Sequence, residues 1–503
     1  MQFVKLLQAA LIPKSFRKMS LRDKYQPVIG LEVHCQMLTK SKAFVGDSAE
    51  FGDLPNTNIS VITLAHPGAL PKANKTVVEF AMKIGLACGS EISRYNEYAR
   101  KNYYYPDLPK GYQITQDKHP ICVGGKVKIK LNDGSYREIQ LNRIHMEEDA
   151  GKSIHLDGET DTLVDYNRAG VPLIEMVSEP DLFSSDEAYQ FLTEVRKLVR
   201  YLEICDGNME EGSLRCDANI SVMLKGSKTL GKKVEVKNMN SIRNVQRAIE
   251  HEIDRQIDQI ENGEIIISES RTFDAGTGKT TSMRTKEEMN DYRYFPEPDL
   301  QPIIVSEEWL KSIKDAMPPL PNYLLDKFQT QYGLPEYDAY VLTDNKEIAL
   351  FFEEICGKTS NYKAASNWVM GPVKSFLNEL TLHIKDYPVT PAKLAELIEL
   401  VDSRKVSHTA AQQTIYPEML ITPSKTPLQL AKELNILQDS NSDSLLPIIK
   451  QVLAEMPAKV AEYRGGKKGI LGLFMGEVMK RSKGKADPKL ASELVIKELD
   501  AAV

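Results

Sequence analysis

SLRCDANISVML, residues 213–224, alternates along its whole length. Leu214, Cys216, Ala218, Ile220, Val222 and Leu224 fall on one side of an extended chain, and Arg215, Asp217, Asn219 and Ser221 on the other. A period of two means a strand with one face turned to a core. Working outward, VIGLEVHCQM (28–37) reads the same way. Ile29, Leu31, Val33, Cys35 and Met37 oppose Gly30, Glu32, His34 and Gln36, with neighbours on one face about 7 Å apart. KVKIKLNDGSYREIQLNRIHME (126–147) is two alternating runs around an Asn-Asp-Gly turn, a hairpin signal. In IRNVQRAIEHEIDRQIDQI, Ile242, Val245, Ile249, Ile253, Ile257 and Ile260 recur at helical spacing, with Ser241 placed to cap.

Past PEPDLQP, near residue 300, strand signals almost disappear. Leu/Lys/Glu-rich helical patterns then run to the end, broken by MPPLP, DYPVTP and YPEMLITPSKTP. The expected fold class is α+β: a mixed or antiparallel β-rich domain over 27–300, an all-α domain over 301–415 and a small helical tail over 416–503. A length of 503 residues agrees with several domains. The net charge of −6 excludes a uniformly basic nucleic-acid binder but not a local basic patch. Six scattered cysteines with no CxxC argue against a disulfide framework or a zinc ribbon and for a reducing, cytoplasmic setting. No apolar run reaches transmembrane length. From Met1 to Arg22 the chain carries Lys5, Lys14, Arg17, Lys18 and Arg22 and no acid, so 1–26 reads as a non-structural extension or a start placed ahead of Met19, in preference to a transit peptide.

Candidate chemistry concentrates in a few stretches. In HMEEDAGK (145–152), Glu148 aligns with apolar Ile144 and Met146, opposite His145, Glu147 and Asp149. In PLIEMVSEP, Glu175 lies between Leu173 and Val177. Inward-facing carboxylates need a partner; with Glu32 and His34 they suit a shared Mg²⁺ site, and an internal salt bridge answers the same pattern. ARKNYYYPDLPKGYQITQ (99–116) mixes Arg100, Lys101 and Lys110 with tyrosines, which suits a loop holding a phosphate, a nucleotide or a tRNA end by charge and stacking; a tyrosine-rich packing loop is the alternative. MEEGSLRCD adds Glu210, Glu211, Arg215 and Asp217, plausible around a phosphoryl group. GTGKTT (276–281) mimics the end of a P-loop, but Phe273 stands where the motif's first glycine is required and the preceding run is polar, so a hairpin turn is expected. There is no GxSxG. In the tail, Lys467, Lys468, Lys480, Arg481 and Lys483 suit a nucleic-acid backbone, and a solvated helix end explains them equally well.

Taken together, VIGLEVH, PNTN…HPGALP, RKNYYYPDLPKGYQITQ, RIHMEEDAGKS, DYNRAGVPLIEMVSEPD, MEEGSLRCDANIS, DYRYFPEPDL, SNWVMG and GKKGILGLFMGEVMK resemble the B subunit of the heterotrimeric aspartyl/glutamyl-tRNA amidotransferases, in order from about Val28 to the C-terminus. The resemblance implies a cradle domain, a helical domain and a YqeY-like tRNA-binding tail. It implies Mg-ATP-dependent phosphorylation of the side-chain carboxylate of Glu on tRNA(Gln), or Asp on tRNA(Asn), followed by amidation with ammonia from the amidase, or A, member of the trimer. A small C member would hold the two together, and neither DNA nor a membrane is an expected partner. By motif position it implies Glu32, His34, Glu148 and Glu175 as metal ligands. Arg100, Lys101, Arg215 and Asp217 would line the same site, and the basic tail would hold tRNA. Many relatives carry four zinc-binding cysteines where this chain has Val45, Asp47, Ser60 and Thr63. No zinc is therefore expected, with packing holding that loop.

Overall fold

The structure, a computed structural model, describes residues 21–501 except 157, 159, 286–290, 439–441 and 483–485. The chain divides after Leu320 into two compact units.

Among the described residues, ten strands of the first unit form one sheet: β1 (Tyr25–Gln36), β2 (Glu91–Ile92), β3 (Cys122–Val123), β4 (Lys126–Lys130), β5 (Tyr136–Glu148), β6 (Pro172–Ser178), β7 (Leu214–Leu224), β8 (Val234–Lys237), β9 (Glu269–Asp274) and β10 (Lys279–Thr285). Their order is β10-β9-β8-β7-β1-β6-β5-β3-β2, with β4 also paired to β5. β8 and β9 run parallel and the other neighbours antiparallel, so the sheet is mixed. The α+β reading holds. GTGKTT is the turn and first residues of the β9–β10 hairpin. Gly278 takes φ +69° there, which favours glycine.

The alternation seen in the sequence becomes a two-faced sheet. Ile29, Leu31, Val33 and Cys35 of β1 and Leu214, Cys216, Ala218 and Ile220 of β7 are buried in one core. Helices α1 (Lys75–Ala87), α2 (Ser185–Tyr201) and α3 (Ile242–Glu261) add apolar residues to that core. Ser184 and Ser241 cap α2 and α3 by accepting from the backbone N–H of Glu187 and Asn244. Leu224, at the strand end, is exposed. β5 changes phase midway: Ile139 and Leu141 point to the core, then Ile144 and Met146 do. The register against β6 shifts at this point, and the irregularity turns every later side chain of β5 to the face opposite the one a regular strand would give.

Ordered contacts begin ahead of residue 27. β1 starts at Tyr25, and Arg22 Nε donates to Asp254 Oδ1 at 2.7 Å on α3. Residues 1–20 lie outside the described residues. The first unit extends past 300, since Ile303–Ile304 pairs with Tyr95–Asn96 and α4 (Glu307–Asp315) sends Leu310 and Ile313 into its core. In the loop that lacks the four cysteines, Thr63 Oγ1 donates to Asp47 Oδ2 at 2.5 Å.

The second unit, from Pro321, is helical. Helices Ser442–Glu455, Leu471–Arg481 and Pro488–Ala501 share a small core of Leu445, Ile449, Val452, Phe474, Val478 and Val495. No helix among the described residues is long and apolar enough to cross a membrane.

A three-stranded sheet lies beside the main one, with Ala99–Asn102 between Tyr112–Thr115 and Phe295–Pro296. It is fastened by Arg100, which donates twice to the buried Glu297 at 2.8 Å, once to Asp299 at 3.0 Å, and lies 4.1 Å from the Tyr112 ring centre. Removing one partner of such a pair strands a largely desolvated charge. Glu297→Ala is expected to lower the stability of the first unit by about 3 kcal/mol, read as a fall in its urea midpoint.

Candidate active site

The site is built on the sheet face that the core does not use. β1 lies between β6 and β7, and register sets its neighbours. His34 is opposite Glu175 on β6 and Arg215 on β7; Glu32 is opposite Val177 and Asp217; Glu175 is opposite His145 on β5. Cross-strand pairing therefore stacks polar side chains from four strands into one patch. His34 Nε2 lies 3.3 Å from Glu175 and 3.6 Å from Glu147. His145 Nε2 lies 3.2 Å from Glu175. The ligand atoms of His34, Glu147 and Glu175 all fall within 4.8 Å of one another.

These charges set each other's protonation. Burial and the neighbouring Glu175 push Glu147 up. Burial alone would do the same to Glu175, but His145 and His34 overcome it and hold that carboxyl well below its usual range. The pair of carboxylates in turn outweighs the burial of His34 and draws it up to about 9. The cluster thus demands positive charge. His145 Nδ1 and Arg215 Nε are buried without hydrogen-bond partners. Two carboxylates and an imidazole converging around such a deficit are a donor set that fits a divalent cation.

A second trio, Glu32, Asp217 and Glu235, lies on the same face. It already holds a cation: Lys237 Nζ is 2.5 Å from Asp217 and 2.9 Å from Glu235. Asn219 donates to Glu32 at 2.8 Å. The cleft above both groups has a volume of about 520 Å³, with Lys101, Arg168, Arg215 and Lys237 in its walls. Asp149 fixes Arg215 at 2.8 Å and takes Gln36 at 2.8 Å. The result is carboxylates on the floor and cations around them, the arrangement that a phosphate ester and its counter-ion require.

The structure sorts the sequence-derived residues. His34 and Glu175 meet, with Glu32 in the adjoining trio. Lys101, Arg215 and Asp217 line the cleft. Glu148 does not join them. It shares the face of Ile144 and Met146, where Lys110 Nζ reaches it at 2.6 Å and the Ile114 N–H donates to it at 2.8 Å. The inward carboxylate does find a partner, but the partner is a lysine. Its neighbour Glu147 occupies the position by the histidines. Arg100 also leaves the set, since on its short strand it points opposite to Lys101 and is spent on Glu297. Glu147, His145, Asp149, Glu235 and Lys237 were missed. Their signal was parity: Glu147 shares a face with His145, and VEVK (234–237) places Glu235 and Lys237 on one side.

The sheet face gathers carboxylates, imidazoles and cations around one cleft. Residues 27–311 match the GatB/GatE catalytic domain, and residues 350–499 match a second family described as the GatB domain. The chain is 48% identical over 476 residues to the B subunit of the aspartyl/glutamyl-tRNA(Asn/Gln) amidotransferase of Thermodesulfovibrio yellowstonii, covering 95% of this chain and 99% of that protein. It is 49% identical to the same protein of Trichlorobacter lovleyi and 48% to that of Chlorobium chlorochromatii, each with 95% and 99% covered. The chain belongs to the B-subunit family of these tRNA-dependent amidotransferases.

The two neighbouring glutamates separate experimentally. Glu147→Gln and Glu175→Gln are expected to weaken Mn²⁺ binding by about tenfold or more, measured by calorimetric titration. Glu148→Gln is expected to leave Mn²⁺ affinity within about twofold, while lowering the urea midpoint through loss of its charge-assisted bond to Lys110.

Proposed function

We propose that this chain is the ATP-dependent, tRNA-binding member of an amidotransferase that converts Glu on tRNA(Gln), or Asp on tRNA(Asn), to the amide. The observation that carries it is the His34–Glu147–Glu175 cluster in a cleft walled by Lys101 and Arg215. A carboxylate is a poor electrophile. Its oxygen attacks the γ-phosphorus of ATP and ADP leaves; ammonia then attacks the acyl carbon and phosphate leaves, forming the amide. Phosphoryl transfer needs position and charge more than covalent help.

His34, Glu147 and Glu175 would hold Mg²⁺, which would supply positive charge to offset that of the phosphate groups. Arg215 is held in one orientation by Asp149, so its guanidinium meets a phosphoryl group without reorganising. Lys101 contributes a second cation; burial opposes its charge, but Glu147, Tyr294, Tyr292 and Glu175 together outweigh burial and push the ammonium pKa up. Lys237 pairs with both Asp217 and Glu235 and offsets part of the negative charge on that wall of the cleft. Ammonia comes from the amidase partner, with a small third protein making up the heterotrimer, and the complex works in the cytoplasm.

The tail is the second tRNA contact in this reading. Lys467, Lys468 and Lys480 are exposed on it. Lys467 lies 3.4 Å from Glu462 and Lys468 3.6 Å from Asp500, and Lys468 Nζ is also 3.9 Å from the Tyr463 ring centre. Arg481 is engaged by Glu455 and Glu477, and Lys483 lies outside the described residues. The cations best placed to exchange their surroundings for phosphate are therefore the lysines of the 467–480 stretch. Replacing Lys467, Lys468 and Lys480 by Ala together is expected to reduce the slope of log K against log salt for tRNA by about 2. An unchanged slope would remove the tail from the tRNA contact.

The central test uses the reconstituted complex with Glu-tRNA(Gln), Mg-ATP and ammonium chloride in place of glutamine. Gln-tRNA is expected to form with wild type, to require ATP, and to fall by about 10³-fold or more with Glu147→Gln. ATP-independent product, or a Glu147→Gln complex as active as wild type, would refute the reading.

A further inference from the structure

Past Ile144 the outer edge of β5 loses its strand partner. β3 pairs with β5 at Arg143 and Ile144, while β6 continues along the other edge as far as Glu148. Backbone polar groups on a buried edge need partners, and residues 112–116 supply them. Gln116 Oε1 accepts from the Met146 N–H at 3.1 Å, and Gln113 Nε2 donates to Glu148 O at 2.7 Å. The Ile114 N–H donates to the Glu148 carboxylate at 2.8 Å. Gln116 is itself pinned, since the same oxygen accepts from the Ile121 N–H at 3.1 Å and its Nε2 donates to Asn96 Oδ1 at 3.0 Å. Gln113, Ile114 and Gln116 are all buried. The segment is a strut laid across the last residues of β5.

Thr115 sits between these anchors and is buried with them. Its Oγ1 donates to Glu147 Oε2 at 3.4 Å. His145 Nε2 lies 3.9 Å from that same oxygen, whereas His34 Nε2 lies 3.6 Å from Oε1. The two oxygens of Glu147 are thereby sorted: Oε2 faces Thr115 and His145, and Oε1 faces His34. Such sorting needs a cause, because the last torsion of a glutamate is broad and leaves the carboxylate free to turn. A hydroxyl fixed by its backbone supplies one. An apolar side chain of the same shape would fill the space without choosing between the oxygens.

We infer that Thr115 is a positioning residue for the phosphoryl-transfer step, its hydroxyl holding Glu147 from behind so that Oε1 is presented beside His34. The inference rests on the reading of His34, Glu147 and Glu175 as the residues that would hold the divalent cation. It adds to that reading the group that orients one of them. Thr115 touches neither substrate nor ion in this role and acts through Glu147. Partners of this outer kind change metal affinity by about tenfold or more when removed, because the ligand must then be ordered as the ion arrives.

The test titrates Mn²⁺ calorimetrically into the whole heterotrimer, as wild type, Thr115→Val and Thr115→Ser. Valine keeps the shape and removes the hydroxyl; serine keeps the hydroxyl and removes the methyl group. A hydroxyl role and a packing role therefore predict opposite orders. Thr115→Val is expected to weaken Mn²⁺ binding by about tenfold, and Thr115→Ser to stay within about twofold of wild type. The Mg²⁺ concentration that gives half-maximal ammonium-driven amidation is expected to rise for Thr115→Val and not for Thr115→Ser. A valine variant that binds Mn²⁺ as wild type does, or a serine variant at least as weak as the valine one, would overturn the role. Mn²⁺ binding that Glu147→Gln leaves intact would refute the metal reading of the cluster itself, a separate outcome.

Discussion

The structure of the first unit turns on a single set of cross-strand neighbours: His34 opposite Glu175, and Glu175 opposite His145, across three adjacent strands. Burying two carboxylates side by side is costly in an apolar setting. Here two imidazoles lie against them, and the register of β1, β6 and β5 places both within 3.3 Å of Glu175. A slip of one residue would turn the polar patch into the core and expose Leu31 and Val33. The hydrophobic face and the polar face therefore enforce one another.

The same sheet explains how opposite charges share one cleft without collapsing into neutral pairs. The two carboxylate groups differ in what neutralises them. Lys237 is a permanent cation inside the trio of Glu32, Asp217 and Glu235. In the trio of His34, Glu147 and Glu175 the carboxylates lie against imidazoles, with Lys101 acting on Glu147, and His145 Nδ1 is buried with no hydrogen-bond partner. That asymmetry is why the proposed divalent cation is given to the trio of His34, Glu147 and Glu175. Arg215 is similarly divided: Asp149 holds one amino group while Nε has no hydrogen-bond partner.

Much was legible from alternation. The strands 28–37 and 213–224, the hairpin over 126–147, the turn at GTGKTT and the capped helix after Ser241 all form as read, because each depends on local period and turn chemistry. The change of texture near residue 300 corresponds to a real change of architecture, although the first unit keeps the short strand and helix up to Leu320. The choice between Glu147 and Glu148 was not legible. Both lie in one strand, and both faces of that strand are buried, so polarity of the neighbours does not say which side holds the cleft. The decision belongs to β6, whose pairing puts Glu175 beside His145. Arg100 illustrates the same limit: its partner Glu297 is nearly two hundred residues away, and nothing local announces it.

By itself, the sequence determined the α+β class, the two-faced strands and the family, and it singled out His34, Glu175, Lys101, Arg215 and Asp217, which the fold gathers on one polar face. These follow from side-chain period and from long, unusual motifs, which survive without knowledge of contacts. Tertiary structure alone decided which carboxylate lies beside the two histidines, and that Arg100 is spent on Glu297 while Lys101 and Arg215 line the cleft. Those outcomes depend on strand register and on pairing between remote segments, and a one-residue shift in either reverses which face a side chain occupies.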